Sequence, residues 1–336
     1  MTVLIPSYEP DHRLIELIAR LQAITDDPIV VVDDGSGERY RPIFEAVKSA
    51  GCTVLTHNVN LGKGRALKTG FAYIRESGAK DGVVCADSDG QHAPKDIVAV
   101  GRSIASGRKR IVLGSRKFTG KVPLRSRFGN RLTSKIYDAA TGIRVEDTQT
   151  GLRGYPSEML GWLCQVPGER FEYEMNLLLE APARGYAIAE LPIDTIYLDD
   201  NRSSHFRPLV DSLKVYLPFL KFGASSLLAG LIDFIVLLLL QWWTSHLLLS
   251  VVLARLASSA ANYAVNRRYV FGRPQQTPVL RSMQRYYLLV AAIVGLNYGL
   301  LHLLHITLGI HLIPAKLATE CLLFLLSYGM QRKYVY

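Results

Sequence analysis

Asp87-Ser88-Asp89-Gly90-Gln91 follows directly on the apolar run Gly82-Val83-Val84-Cys85-Ala86. A short apolar run bounded by turn residues reads as a buried strand, and the acidic stretch aims two carboxylates and an amide off its end. Hard cations such as Mg²⁺ prefer oxygen ligands and take one or two protein carboxylates, leaving the other positions to water and substrate phosphate. Open α/β sheets bind ligands at strand C-termini, so this is a place to hold a divalent cation against phosphate. An isolated D-x-D also reads as an Asx turn that merely closes the strand; the surrounding pattern shifts the balance toward a site.

Working outward, strand-like runs alternate with helical stretches: Val3 to Pro6, a helix from about His12 to Gln22, Ile29 to Asp33, a helix near Pro42 to Ala50, Cys52 to His57, a helix from Gly64 to Arg75, then Gly82 to Asp87. That alternation predicts an α/β fold with a parallel, doubly wound sheet. Asp33-Asp34 ends one strand and Asp87-Ser88-Asp89 another. Strand C-termini of such a sheet line one crevice, so the two acidic clusters are expected to face one ligand.

The chain has 336 residues, room for two compact units at roughly 100 to 200 residues each. Up to about Tyr216 it mixes charge, Gly and short apolar runs; from Phe219 onward Leu, Val, Ala, Ile and Tyr dominate. Four apolar stretches, about 219–243, 247–263, 286–308 and 312–330, are each close to the roughly 20 residues that span a hydrocarbon core. They predict an all-α domain of four transmembrane helices, the second interrupted by Arg255. Pro208 to Lys221 reads as an amphipathic helix on the membrane surface, which divides the chain into 1–207, 208–221 and 222–336. No tandem repeat or low-complexity segment stands out.

The connector after the second apolar stretch carries Arg267, Arg268, Arg273, Arg281 and Arg285, and the C-terminal stretch Arg332 and Lys333, whereas Thr244 to His246 and Gly309 to His311 carry none. Positive-inside asymmetry then puts both termini and the central connector in the cytoplasm. The chain opens straight into a strand-like run with no basic n-region or long apolar h-region, so no signal peptide is expected. Asp233, Arg255, Lys316 and Glu320 fall within or near the spans, where each costs about 2.5 to 3.5 kcal/mol at a helix centre. Asp233 with Arg255, and Lys316 with Glu320, are the expected pairs. Cys52, Cys85, Cys164 and Cys321 show no metal spacing and read as reduced and structural.

The formal charge is +10, and between Asp96 and Asp138 there are eleven Lys or Arg and no acid. Such a patch fits nucleic acid, anionic lipid or a phosphorylated substrate. The membrane stretches favour membrane lipids and a phosphorylated substrate, and exclude a nucleic-acid partner.

Ile5-Pro6-Ser7-Tyr8-Glu9, Val31-Val32-Asp33-Asp34-Gly35-Ser36, Asn60-Leu61-Gly62-Lys63-Gly64, Asp87-Ser88-Asp89-Gly90-Gln91-His92 and Gly114-Ser115-Arg116 resemble, in order, the motif series of family 2 glycosyltransferases. The subgroup most similar is that of dolichol-phosphate mannosyltransferases and bacterial polyprenyl-phosphate glycosyltransferases. The likeness runs from about Met1 to Tyr216, and the C-terminal third resembles GtrA-like four-span proteins, implicated in moving lipid-linked sugars, through Lys221-Phe222-Gly223 and Asn266-Arg267-Arg268-Tyr269-Val270-Phe271. The resemblance implies a GT-A (Rossmann-like, mostly parallel) catalytic domain that transfers one sugar, with inversion, from a UDP- or GDP-linked donor to polyprenyl phosphate. It implies Mg²⁺ or Mn²⁺ on Asp87, Asp89 and Gln91, donor contacts from Pro6, Tyr8, Glu9, Asp34, Lys63, Asp87 and Asp89, and phosphate contacts from Arg116, Arg127, Arg131 and Arg202. Arg202 lies in Asn201-Arg202-Ser203-Ser204-His205, where His205 stands in place of the family's usual Lys.

Asp147-Thr148-Gln149-Thr150-Gly151-Leu152-Arg153 resembles the family's D-x-x-S/T-G-F-R turn, with Leu152 where the aromatic usually stands. Asp147 is accordingly a base or a hydrogen-bonding group beside the acceptor. Glu172 and Glu174 fall near the family's helix under that site, with a capping or surface role as the alternative. A homo-oligomer is compatible with the pattern. The rival readings are a processive polysaccharide synthase, for which no Q-x-x-R-W is present, and an inactive transferase fold serving glycolipid transport, against which Asp87, Asp89 and Gln91 stand intact.

Overall fold

The computed structural model describes residues 1–78, 80–104, 109–116, 130, 133–135, 137–138, 141–194, 208–271 and 278–336. They fall into two compact units, the first holding a seven-stranded sheet and the second a set of helices.

The strands are β1 (Thr2–Ser7), β2 (Ile29–Asp33), β3 (Thr53–Thr56), β4 (Val83–Cys85), β5 (Arg110–Arg116), β6 (Arg153–Tyr155) and β7 (Ala187–Ile193), ordered β3-β2-β1-β4-β6-β5-β7. All pairings are parallel except those of β6, which runs antiparallel to β4 and to β5. β1, β2 and β4 are buried along their whole length, which is why they read as continuous apolar runs rather than alternating ones. Helices α1 (Arg13–Gln22), α2 (Arg41–Ser49), α3 (Lys63–Glu76) and α4 (Pro94–Ile104) cover them. α1 shows the reason plainly, burying Leu14, Leu17, Ile18 and Leu21 at the spacing of one helical face. Two shorter helices, α5 (Leu160–Leu163) and α6 (Glu172–Glu180), complete the unit.

Register aligns the strand ends. Ser7 pairs with Asp33, Leu4 pairs with Cys85, and the Ala86 N–H donates to the Leu4 carbonyl at 3.0 Å. The chain therefore leaves β1, β2 and β4 on one edge, with Ser7, Asp34 and Asp87 side by side. Strand order reverses direction between β1 and β4, the topological switch point where open sheets bind ligands.

The second unit, from Tyr216 on, holds most of α7 (Pro208–Thr244) together with α8 (Leu247–Val265), α9 (Val279–Leu301) and α10 (Leu312–Met330). A single helix, α7, runs from the stretch read as amphipathic into the first apolar stretch. Among the described residues, three segments are long and apolar enough to cross a membrane: Phe219–Thr244, Val279–Thr307 and Leu312–Met330. α8 is helical, as the sequence predicts, and carries Arg255, Asn262 and several serines among its apolar residues. Both expected intramembrane pairs form, Arg255 with Asp233 at 3.5 Å and Lys316 with Glu320 at 2.6 Å.

An internal repeat, unseen in the sequence, emerges here. α8 and α10 are each 19 residues long and each passes into a five-residue π-helical turn, Asn266–Val270 and Gln331–Val335. The side chains repeat as well. Arg267 donates to the Tyr263 hydroxyl at 3.2 Å and Arg332 to that of Tyr328 at 3.0 Å. Asn266 donates to Asn262 at 2.8 Å and Gln331 to Ser327 at 3.0 Å. Phe222 lies 5.4 Å from Tyr328 and Tyr286 lies 5.4 Å from Tyr263, between ring centroids. The two copies meet where Asn266 donates to Gln331 at 3.1 Å and where Phe271 stacks on Tyr336 at 4.9 Å. The unit is thus two hairpins, α7–α8 and α9–α10, in parallel arrangement. The copies keep Tyr263/Tyr328, Arg267/Arg332, Tyr269/Tyr334 and Val270/Val335 as identities and the other matched positions as classes (Asn/Gln, Phe/Tyr, Arg/Lys), a short match that the surrounding apolar helices do not extend.

Candidate functional site

A cavity of about 650 Å³ opens at the shared strand edge, lined by Pro6, Tyr8, Glu9, Asp34, Lys63, Asp87 and Asp89 together with Ser88, Asn60, Gly62, Arg170 and Phe171. Its size suits a nucleotide-sized ligand. All seven residues expected to contact a donor therefore share one wall.

At one end, Asp34 is buried. Its carboxylate accepts the Leu61 N–H at 3.0 Å and the Gly62 N–H at 2.7 Å, and lies 2.8 Å from His57 Nδ1. His57 Nε2 is in turn 2.9 Å from the Thr69 hydroxyl, which fixes the ring. Gly62 is required twice over: its φ is +105°, and a Cβ there would lie 2.4 Å from the Arg170 side chain and 2.5 Å from the Glu169 carbonyl. Glu9 holds a left-handed φ of 49°, with its N–H donated to Ser36 Oγ at 2.8 Å. Non-glycine residues rarely adopt that backbone, and such strain concentrates at ligand sites.

At the centre, charge alternates. Lys63 Nζ lies 2.8 Å from Asp87 and 3.1 Å from Glu174; Glu174 continues to the buried Arg153 at 3.7 Å. Burial alone would raise the Asp87 carboxyl, but Lys63 and then His92, 3.4 Å from its other oxygen, pull it well below the ordinary carboxylate range. Burial likewise disfavours charge on Lys63, and the two carboxylates outweigh it and hold the ammonium charged. Asp89 differs. Burial, then the charge on Asp87, raises its carboxyl, and among the described residues no cation lies within ion-pair distance of it. Its Oδ1 accepts the Gln91 N–H at 3.0 Å, so the Asx turn is present along with the site. Gln91 does not line the cavity.

Arg116 and Asp147 are given to each other. Arg116 Nε and a terminal guanidinium nitrogen reach the two Asp147 oxygens at 2.7 and 3.0 Å, and the Arg116 N–H adds a third bond at 3.2 Å. Asp147 is fully buried and also accepts the Gln149 N–H at 3.2 Å; neither residue lines the cavity. A carboxylate so placed has both its oxygens taken by donors of this chain. Glu174 belongs to the central ion chain, whereas Glu172 accepts the N–H groups of Glu169 and Arg170 at 3.1 and 3.2 Å, a cap at the start of α6. Arg127, Arg131, Arg202 and His205 lie outside the described residues.

Sequence reasoning missed His57, Arg170 and Phe171 as site residues. His57 sits at the end of a recognised strand, next to Asn60-Leu61-Gly62, and that adjacency was the available signal. Arg170 and Phe171 carried none, since they reach the cavity from far along the chain.

The model of the glycosyl transferase family 2 matches residues 2–161 and that of the GtrA/DPMS transmembrane domain matches residues 221–336. A UDP-N-acetylglucosamine–dolichyl-phosphate N-acetylglucosaminyltransferase of Methanococcus voltae is 32% identical over 216 residues, 59% of this chain and 86% of that protein. The chain belongs to glycosyl transferase family 2. This family 2 enzyme carries a C-terminal GtrA/DPMS transmembrane domain, and its sheet domain is GT-A-like. The dolichyl-phosphate β-glucosyltransferase ALG5C of Trichomonas vaginalis is 25% identical over 65% of this chain and 71% of that one. Among solved structures, glucosyl-3-phosphoglycerate synthase from Mycobacterium tuberculosis aligns with a TM-score of 0.47 at 20% identity, over 63% of this chain and 74% of that one.

Proposed function

We propose that this transferase moves one sugar, with inversion, from a UDP- or GDP-linked donor to a polyprenyl phosphate at the cytoplasmic face of a membrane, with Mg²⁺ or Mn²⁺ bound. The observation that carries the reading is Asp89: a half-buried carboxylate beside a second one, facing a cavity, with no cation of its own among the described residues. Two adjacent oxygen donors suit a hard divalent ion, so the residues fit the metal. Asp89 would hold it, with Asp87 contributing through its shared face. When bound, the ion supplies charge stabilisation to the leaving nucleoside diphosphate.

The chain's own groups do the rest. Lys63 keeps Asp87 ionised and adds positive charge where the diphosphate lies. Asp34 and His57 set the loop bearing Leu61 and Gly62 and so shape the base end. A lipid phosphate is largely dianionic at neutral pH, its second ionisation lying near about 6, so the acceptor needs no protein base. That agrees with an Asp147 whose oxygens are already taken. Direct displacement by that phosphate inverts the sugar carbon. The acceptor class is supported by the dolichyl-phosphate and undecaprenyl-phosphate transferases among the relatives and by the apolar helices; the cytoplasmic face is supported by the basic residues of 267–285 and 332–333.

The decisive experiment incubates purified protein with polyprenyl phosphate and a panel of nucleotide sugars, with Mg²⁺, with Mn²⁺ and with chelator. One donor should yield a glycolipid, chelator should reduce the yield to background, and either ion should restore it; full turnover in chelator removes the metal assignment. His57→Ala is expected to raise the donor KM by about tenfold with a smaller change in kcat, the scale of one lost hydrogen bond to a charged group. An unchanged KM in steady-state assays counts against Asp34 and His57 as the base-end support.

A further inference from the structure

The repeat places polar side chains at matched positions in the two hairpins, and the two sets behave differently. The offset that carries Asn266 onto Gln331 carries Arg255 onto Glu320, and the one that carries Phe222 onto Tyr286 carries Asp233 onto Asn297. In the first hairpin, Asp233 accepts the Ser258 hydroxyl at 2.9 Å and pairs with Arg255; its side chain is 22% exposed and that of Arg255 73%. In the second, Lys316 and Glu320 pair with their side chains 46% and 55% exposed. Asn297 joins them, donating to Glu320 at 3.1 Å and accepting from Lys316 at 3.2 Å. A cation and an anion on α10 and an amide on α9 thus stand together on the outer surface of the second hairpin, beside the exposed Ile313 and Leu317. Lipid chains offer such groups no partner, and ionisable residues at this depth ordinarily face protein.

We propose that this face of the second hairpin is where two copies of the chain meet, about a two-fold axis along the membrane normal. Charge complementarity selects the occupant. A two-fold contact brings Lys316 of each copy toward Glu320 of the other, and each Asn297 can donate to and accept from the facing set, so the patch is self-complementary as such an interface requires. The same operation on the first hairpin would bring Arg255 against Arg255, since its acid is turned inward. Of two equivalent faces, only the second can pair with itself. Cys321, exposed and adjacent to Glu320, falls within the contact and reports on it.

The test oxidises full-length protein with copper phenanthroline, in native membranes and in nanodiscs of neutral lipid. A disulfide-linked dimer is expected, absent in Cys321→Ser. It should fall by about tenfold in Glu320→Lys and in Lys316→Glu, the scale of hydrogen bonds between membrane helices, because each variant sets like charges against each other. Differently tagged Glu320→Lys and Lys316→Glu chains made together should recover it as a mixed dimer, a readout that an ion pair within one chain does not move. No cross-link in the wild type, a cross-link indifferent to both charges, or a mixed pair no better than its parents overturns the proposal. So does a monomeric protein in which Asn297→Leu stops glycolipid crossing the bilayer, which would assign the three residues to headgroup passage instead.

Discussion

Asp89→Ala is expected to reduce glycolipid formation by roughly 10³-fold or more, the scale of removing a key electrostatic contact at a transferring centre, in protein that inserts and folds normally. Function and stability pull apart at this residue. Asp89 is a half-buried carboxylate next to the charged Asp87, and both its desolvation and that charge disfavour its ionised form. Nothing among the described residues balances it as Lys63 balances Asp87. Removing it therefore relieves repulsion, and thermal stability should hold or rise slightly, the pattern of a residue retained for activity at the expense of stability. Asp89→Asn, which keeps the shape and loses the charge, should be nearly as inactive. Turnover within tenfold of the parent in either variant, by glycolipid assay, would remove Asp89 from the proposed metal site.

What could be read in the sequence was whatever is local. β1, β2 and β4 announce themselves as apolar runs because both faces of the sheet are covered, and Asp34, Asp87 and Asp89 follow them within a few residues. Parallel pairing then brings those ends together without further information. The partners of these acids were not legible. Lys63 reaches Asp87 from the start of α3 and Glu174 from α6, separations that no periodicity encodes. Arg116 and Asp147 read as ligand-binding through the motifs they share with the family, and the structure pairs them with each other, Arg116 at the end of β5 and Asp147 in the loop before β6. β6 itself, only Arg153-Gly154-Tyr155, is too short to carry an alternating pattern and gets its identity from the neighbours that flank it. The repeat of the membrane unit went unread because it is carried by two short polar turns, 266–271 and 331–336, while the hydrophobic helices around them resemble one another everywhere.

Arg153→Met is expected to destabilise the catalytic unit by about 3 to 5 kcal/mol, the usual consequence of removing one partner from a buried charge network. The side chain is almost completely buried. It donates to the carbonyls of Thr150 at 2.8 Å, Glu174 at 2.9 Å and Thr148 at 3.0 Å, and its charge faces Glu174 at 3.7 Å. Burial opposes the guanidinium charge, but Glu174 outweighs it and holds the group charged. Methionine fills similar volume and removes the bonds that Arg153 gives three carbonyls, so the loss is polar rather than a cavity. The effect should also reach the site. The loop Arg153 braces presents Gly151 so closely to Asp87 that a Cβ there would lie 2.1 Å from Asp87 Oδ2. If the loop relaxes, Asp87 loses the wall that sets its position, and Glu174 is left to Lys63 alone. The apparent melting temperature of the full-length protein should drop by about 10 °C, and turnover should drop even at temperatures where Arg153→Met remains folded. Gly151→Ala separates the two effects: it should lower turnover while Arg153 still braces the loop and the melting temperature changes less. A melting temperature for Arg153→Met within about 2 °C of the parent would mean that the buried chain Arg153–Glu174–Lys63–Asp87 does not hold the site together.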